Sequence, residues 1–170
     1  MKKIFTLAAI CLALLSASSI SGQNRSIPRE GDMFVDFTIQ QDPSNPDSKI
    51  SLSNFVGKGK WVIADFWASW CGPCRREIPY IRKAWQNLPK DKVTVLSIAV
   101  ADKLEDTRKA AAELGIAWEQ IVNAGQVPVN AYGIRGIPHI ILFAPDGKIA
   151  KVGLRGDDIY NYTRSCLENK

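Results

Sequence analysis

The amino-acid sequence predicts an α/β protein in which helices pack on both faces of a mixed central sheet. Two nearly continuous apolar runs, WVIADFWA and KVTVLSIAV, are typical of strands that are buried on both faces. Each run is followed by a segment with helical periodicity, and two further strands and a helix complete the chain. Strand–helix–strand units followed by a hairpin and a final helix predict one domain of this class.

The N-terminal residues predict a secretory signal peptide. Two lysines precede an apolar run from Ile4 to Leu15, and small residues follow that run. The run is shorter than the roughly 20 residues that a membrane span needs. We therefore expect residues 1–22 to be cleaved after export, which places the protein in the periplasm, with a retained anchor as the alternative. Residues 23–33 are predicted to be a loose lead-in, and residues 34–170 the folded domain.

The first strands of the domain are predicted to form an N-terminal hairpin. MFVDFTIQ alternates in polarity and KISL can return beside it, while QDPSNPDS between them is rich in turn-forming residues. WVIADFWA then forms a buried strand, and residues 74–88 a helix. The apolar residues of that helix recur on one face at Ile78, Ile81, Trp85 and Leu88.

The second half of the domain continues the alternation of strands and helices. KVTVLSIAV predicts another buried strand, followed by a helix from Leu104 to Leu114 that ends at Gly115. GQVPVNAYGI predicts a short, broken helix. HIILFAP and KIAKVGL are strands joined by a Pro-Asp-Gly turn. A last helix is capped by Asp157 or Asp158 and runs to about Leu167.

Composition and charge exclude several functional classes. The chain has 170 residues and a net charge of +5, but its basic residues form no cluster or stripe, so we expect no nucleic-acid partner. Removal of the signal peptide leaves Cys71, Cys74 and Cys166. Three cysteines do not form a disulfide framework, and a core of this size needs none. The pair Cys71–Cys74 is therefore predicted to serve chemistry.

The two cysteines stand where a buried strand ends and a helix begins. Pro73 suits the first helical turn, and Gly72 allows the backbone to turn tightly. Near a helix N-terminus, unpaired N–H groups favour an anion, which lowers the pKa of Cys71. Cys74 lies one turn along, within bridging distance. One sulfur can attack a disulfide, and the other can then resolve the mixed disulfide.

Other uses of two such cysteines fit the sequence less well. A zinc site needs two more ligands, and the mature chain offers only Cys166 and the single His139, which are distant in sequence. Haem attachment requires a histidine after the second cysteine, where this chain has Arg75. A structural disulfide that closes so short a loop contributes little stability. We therefore expect a dithiol/disulfide redox pair with no metal and no other cofactor.

The cysteine segment and two later features of the sequence resemble a known family. ADFWASWCGPC resembles the active-site segment of the thioredoxin superfamily, and Pro79 matches a helix proline of that superfamily. GIPHIILFAPDGKIAKVG resembles the segment that carries the cis-proline of the superfamily, which is Pro138 here. The similarity runs from about Phe34 to the C-terminus. The signal peptide, the N-terminal hairpin and a strand–helix insertion near residues 103–132 resemble the extracytoplasmic TlpA/ResA-type thiol-disulfide oxidoreductases.

The resemblance implies a thioredoxin-like fold and a role for each site residue. Cys71 becomes the nucleophile and Cys74 the resolving thiol. Asp65, the one charge in WVIADFWA, becomes a buried carboxyl with a raised pKa that accepts the proton of Cys74. Further residues are expected to contact substrate or to tune the pair: Trp70, Gly72, Pro73, Ile137 and Pro138 in the first group, and Glu77 in the second, unless Glu77 is merely solvated.

The function implied by this resemblance is thiol–disulfide exchange with exported proteins. Gly-Pro between the cysteines is similar to thioredoxin, which favours a reductase over an oxidase. A reductase outside the cytoplasm needs a membrane-embedded electron donor, and cytochrome c maturation is one route that the TlpA/ResA group suggests. We expect a monomer. A peroxiredoxin-like thiol peroxidase and a non-catalytic binding module of the same fold are the alternatives.

Overall fold

A computed structural model describes residues 27–168 of the chain. The predicted signal peptide and the start of the lead-in lie outside the described residues. The strands are β1 Thr38–Gln40, β2 Lys49–Ser51, β3 Trp61–Trp67, β4 Val93–Ala99, β5 Glu119–Ile121, β6 His139–Phe143 and β7 Ile149–Val152. The helices are α1 Gly72–Asn87, α2 Leu104–Glu113, α3 Val127–Tyr132 and α4 Asp158–Glu168, and a 3₁₀ turn covers Leu52–Asn54.

The central sheet has five strands in the order β5-β4-β3-β6-β7. Strands β3, β4 and β5 run parallel, whereas β6 is antiparallel to β3 and β7 is antiparallel to β6. A separate two-stranded sheet pairs β1 with β2, as the predicted N-terminal hairpin requires. The prediction of a thioredoxin-like mixed sheet with an added hairpin is confirmed.

Alternation along the central strands divides the core into two layers. Ile63 and Trp67 of β3 face a layer that contains the buried sides of α1, α2 and α4. Val62 and Phe66 face the other layer, which is covered by the β1–β2 hairpin and α3. Both faces of β3 and β4 are therefore buried, which explains why their sequences are almost continuously apolar.

Strand β5 is absent from the elements that the sequence pattern predicts, although the family resemblance implied a strand in this region. It has only three residues, of which Glu119 is exposed and Gln120 half-buried, so it shows no apolar pattern. Its conformation is set by parallel pairing with Leu96–Ile98 of β4. This strand and α2 form the insertion that the sequence resemblance implied near residues 103–132.

The lead-in is not loose where the structure describes it. The Gly31 N–H donates to the carbonyl of Ile149, the Ile149 N–H donates to the carbonyl of Asp32, and both distances are 2.8 Å. Glu30 accepts a hydrogen bond from the Val152 N–H at 3.1 Å. The segment thus covers the outer edge of β7, which would otherwise be an open template for strand pairing. The predicted looseness of residues 23–33 is wrong for this part.

The first predicted strand is shorter than its alternation suggests. Only Thr38–Gln40 of MFVDFTIQ pairs with β2. The preceding residues are held elsewhere: Phe34 donates to the carbonyl of Gly147, and both backbone groups of Val35 bond to the hydroxyl of Tyr132. The segment therefore fastens the hairpin to α3 and to the β6–β7 turn.

No helix among residues 27–168 is long and apolar enough to cross a membrane.

Candidate active site

The two cysteines form a disulfide at the N-terminus of α1. Cys71 is the N-cap residue, and its Sγ accepts a hydrogen bond from the backbone N–H of Cys74 at 3.1 Å. Pro73 lies in the first turn, where its missing N–H costs nothing. A thiolate on Cys71 would keep this donor and gain the favourable end of the helix dipole. The geometry therefore favours negative charge on the first sulfur of the pair.

Gly72 plays a different part from the predicted one. Its φ lies outside the left-handed region, and a Cβ added there would contact no other atom. The tight-turn explanation for Gly72 is therefore wrong, because any residue could adopt this backbone. Gly72 and Pro73 are both exposed beside the buried cysteines. A side chain at position 72 would therefore project into open space beside the cysteine pair.

A cis peptide bond joins Ile137 to Pro138, as the family resemblance implied. The carbonyl oxygen of Ile137 lies 3.7 Å from the Sγ of Cys71. The backbone of this loop therefore lies directly beside the first sulfur. The guanidinium of Arg155 donates to the carbonyl of Pro138, and also to the carbonyl of Leu154 at 2.6 Å. Arg155, which the sequence reasoning missed, fastens the cis-proline loop to the segment before α4.

Asp65 lies on β3, on the same sheet face as Ile63 and Trp67, which pack in the layer that contains both cysteines. Its side chain is fully buried, and burial raises the pKa of its carboxyl to about 7. The Oδ2 atom accepts a hydrogen bond from the hydroxyl of Ser97 at 3.5 Å. The Oδ1 atom has no hydrogen-bond partner among the described residues. Such a carboxyl can hold or release a proton near neutral pH.

Glu77 is half-buried on α1 and is not simply solvated. Its carboxylate accepts a hydrogen bond from the backbone N–H of Gly156 at 2.8 Å. The negative charge of Glu77 also raises the pKa of Asp65, whereas the positive charge of Arg155 lowers it. Two opposite charges, one on α1 and one in the loop between β7 and α4, thus act on the same buried carboxyl. Tuning of the cysteine pair by Glu77 stays a prediction, and Arg155 is a second charged residue that acts on Asp65.

Trp70 stands beside the disulfide with 64% of its surface exposed. Its indole N–H donates to the carbonyl of Ala101 at 3.0 Å, which holds the ring against the loop before α2. Asp102 fixes the same loop, because its carboxylate accepts hydrogen bonds from the N–H and hydroxyl of Ser69 at 2.6 and 2.9 Å and from Thr107 at 2.9 Å. A cavity of about 230 Å³ lies between Trp70 and α2. Asp102 could not be recognised from the sequence, because nothing there links it to Ser69.

Cys166 and His139 lie outside this arrangement of groups. Cys166 is free and half-buried on α4, where burial raises the pKa of its thiol. The buried face of α4 carries Ile159 and Thr163, and Cys166 packs against the same core layer as Ile159. His139 packs against Phe66 of the second layer, and burial lowers its pKa. Neither residue forms a hydrogen bond with Cys71 or Cys74.

Comparison with known proteins agrees with this geometry. The model of the AhpC/TSA family matches residues 31–152. The chain belongs to the AhpC/TSA family. The thioredoxin domain of a thiol-disulfide oxidoreductase from Bacteroides vulgatus superposes with a TM-score of 0.70 and is 32% identical, covering 82% of this chain and 98% of that one.

Curated relatives carry the same type of name. A thiol-disulfide oxidoreductase ResA from Geobacillus thermodenitrificans is 31% identical over 101 residues, which cover 59% of this chain and 57% of that protein. The ResA protein of Bacillus subtilis is 24% identical over 157 residues, which cover 89% of this chain and 84% of that protein. The prediction of a thioredoxin-fold chain related to ResA-type thiol-disulfide oxidoreductases is confirmed by these similarities.

Proposed function

We propose that this protein reduces disulfide bonds of exported proteins by thiol–disulfide exchange through Cys71 and Cys74. The observation that carries the proposal is the redox pair itself: a disulfide at a helix N-terminus, with the backbone of a cis-proline loop 3.7 Å from Cys71. An extended substrate segment can pair with that backbone and present its disulfide to Cys71. Trp70, Gly72 and Pro73 form the exposed rim that such a segment would contact.

The first step is attack by the thiolate of Cys71 on one sulfur of the substrate disulfide. A mixed disulfide forms between Cys71 and the substrate, and the second substrate sulfur leaves as a thiolate. The N–H of Cys74 and the N-terminus of α1 stabilise the attacking thiolate. This assigns the nucleophile to the residue at the helix start.

The second step is attack by Cys74 on the Sγ of Cys71. The thiol of Cys74 must first lose its proton, and Asp65 accepts that proton because its raised pKa lies near neutrality. The Cys71–Cys74 disulfide forms as the substrate leaves with its two sulfurs reduced. The substrate has gained two electrons and the protein has lost two, so a reductant must restore the dithiol.

The direction of electron flow and the partners follow from the cellular setting. The sequence pattern of the first residues favours export, where disulfides persist and no cytosolic thioredoxin reductase is available. A membrane-embedded dithiol donor would then resupply electrons. Haem-attachment cysteines must be reduced before haem can bind, so cytochrome c maturation is the client route that we favour. A reduction potential nearer to thioredoxin, about −270 mV, than to DsbA, about −120 mV, would support the reductase direction.

Trapping of mixed disulfides tests the assignment of the two cysteines. Cys74→Ser leaves the nucleophile without a resolving thiol, so we expect it to accumulate mixed disulfides with exported proteins. Cys71→Ser is the matched control and should accumulate none. Complexes trapped by Cys71→Ser, and not by Cys74→Ser, would reverse the assignment.

The two alternative functions give different results in simple assays. A peroxiredoxin-like enzyme would consume hydrogen peroxide in the presence of a thiol reductant, whereas we expect disulfide reduction without peroxide consumption. A non-catalytic binding module would keep its cellular function after both cysteines are replaced. We expect that replacement to abolish function while the protein stays folded.

A further inference from the structure

A polar chain of three residues ends at the buried Asp65. Ser97 lies opposite Asp65 in the register between β3 and β4, and it is fully buried. The indole N–H of Trp118 donates to the Oγ of Ser97 at 2.8 Å, and the Ser97 hydroxyl donates to the Oδ2 of Asp65 at 3.5 Å. A buried serine in an apolar strand needs such partners, because an unpaired hydroxyl would be costly.

The direction of these hydrogen bonds follows from the groups at the two ends, an indole N–H and an ionised carboxylate. An indole N–H can only donate, so the contact with Trp118 occupies a lone pair of the Ser97 oxygen. An ionised Asp65 has no hydrogen to donate, so the Ser97 hydroxyl is the donor in the contact with its Oδ2 atom. A hydrogen bond of this sense favours the ionised carboxylate over the neutral acid. Trp118 therefore occupies one of the two acceptor sites of the Ser97 oxygen and orients the hydroxyl group beside Asp65.

Trp118 is held in position by the active-site helix. Its ring lies 5.8 Å from the ring of Trp85 and 5.9 Å from the guanidinium carbon of Arg82, and both residues belong to α1. Arg82 also donates to the carbonyl of Gly115 at 3.0 Å, which ties α1 to the segment that leads to Trp118. Trp118, the donor end of these hydrogen bonds, is thus held in the same core layer as the cysteines.

We propose that Ser97 and Trp118 are positioning residues that keep Asp65 available as a base, with Ser97 donating to the carboxylate and Trp118 orienting Ser97. The proposal rests on the proposed function in one respect, since it treats Asp65 as the proton acceptor for Cys74. The other charged groups that act on Asp65 are Glu77 of α1 and Arg155 of the loop before α4. Ile140, which pairs with Asp65 from β6, is apolar.

Titration of Asp65 in the oxidised protein tests these positioning roles directly. In that state Cys71 and Cys74 do not titrate, so the ¹³C shift of the Asp65 carboxyl reports its own ionisation. We expect Ser97→Ala to raise the pKa of Asp65 by about one pH unit, since it loses a hydrogen bond that favours the charged form. Ser97→Thr keeps the hydroxyl and should titrate like the wild type.

The role of Trp118 is tested by coupling between variants. Trp118→Phe keeps the aromatic packing but removes the N–H, so Ser97 is free to turn and the pKa of Asp65 should rise by a smaller amount. The double variant of Ser97→Ala and Trp118→Phe should match Ser97→Ala alone, because Trp118 acts through Ser97. Additive changes, or a pKa that stays within error of the wild type in Ser97→Ala, would overturn the proposal.

The rate of disulfide exchange gives a second readout. Near pH 7 a rise of one pH unit in the pKa of Asp65 lowers its ionised fraction, and with it the rate in Ser97→Ala, about fivefold. The deficit should shrink above pH 8, which a general loss of packing would not produce. If Ser97→Ala does not fold, Trp118→Phe carries the test: a rise in the pKa of Asp65 of less than about one pH unit supports the proposal, and a pKa within error of the wild type overturns it. If the pKa of Asp65 rises in Ser97→Ala but Asp65→Asn exchanges disulfides at the wild-type rate, the positioning roles of Ser97 and Trp118 stand and the proposed role of Asp65 fails.

Discussion

The variant Asp65→Asn should be more stable than the wild type at neutral pH, and the gain should depend on pH. The ordinary pKa of this carboxyl is 3.8, and burial raises it to about 7 in the folded protein. A difference of one pH unit corresponds to about 1.4 kcal/mol, so the charged carboxylate costs the folded state up to about 4 kcal/mol. The amide of Asn cannot ionise and does not have this cost.

The sign follows from where the proton is held. Between pH 3.8 and about pH 7 the folded protein keeps a proton that the unfolded chain releases. Wild-type stability therefore has a contribution that is complete below pH 3.8 and is lost as the pH rises through 7. The Asn amide brings its own cost of roughly 1–2 kcal/mol, because the Oδ1 position has no partner among the described residues. We expect Asp65→Asn to be slightly less stable at pH 4 and about 2–3 kcal/mol more stable at pH 8.

Denaturant unfolding of the oxidised protein from pH 4 to pH 8 measures this difference. Asp102→Asn is the matched control, since it makes the same chemical change at a carboxylate that accepts hydrogen bonds from Ser69 and Thr107. The control should lose stability and show no gain as the pH rises. A difference between Asp65→Asn and the wild type that is constant from pH 4 to pH 8 would refute the reasoning about a buried, protonated Asp65.

Three further predictions concern the surroundings of the pair. Alkylation of the reduced protein should label Cys71 much faster than Cys166, because burial raises the pKa of the Cys166 thiol; equal rates would contradict this. Gly72→Ala should raise the stability of the protein by roughly 0.5 kcal/mol, since the backbone suits alanine and the new Cβ contacts nothing. The same variant should slow exchange with protein substrates. A loss of stability in urea unfolding would count against this prediction. Trp70→Ala should leave the melting temperature almost unchanged and lower the rate with a protein disulfide more than with a small-molecule disulfide, because the ring is 64% exposed; equal effects on both substrates would remove Trp70 from substrate contact.

Much of the fold could be predicted from the sequence because its central strands are buried on both faces. β3 and β4 are nearly continuous apolar runs in the sequence, and α1 shows a clear helical period. β5 could not be predicted, because a three-residue edge strand acquires its conformation only from its neighbour. The same holds for the lead-in, whose order comes from hydrogen bonds to β7.

The site residues that the sequence predicts also differ from those it does not predict in a physical way. Cys71, Cys74 and Asp65 are close in sequence, and each is conspicuous in its segment: two cysteines at a helix start, and one charge in an apolar strand. Ser97 and Trp118 reach Asp65 through strand register and side-chain packing, which sequence spacing does not reveal. One signal was available, since Ser97 interrupts the second apolar run as Asp65 interrupts the first. Two polar residues in adjacent buried strands should be examined as a pair.

The most direct test of the central claim is the stoichiometry of a single exchange. The reduced protein is mixed with one equivalent of an exported protein that contains a single disulfide, and both products are analysed by mass spectrometry after rapid alkylation. We predict that each substrate disulfide that is reduced is matched by one Cys71–Cys74 disulfide, with Cys166 still alkylated. A substrate that stays oxidised beside a fully reduced protein, or oxidation that occurs equally in Cys71→Ser, would contradict the account.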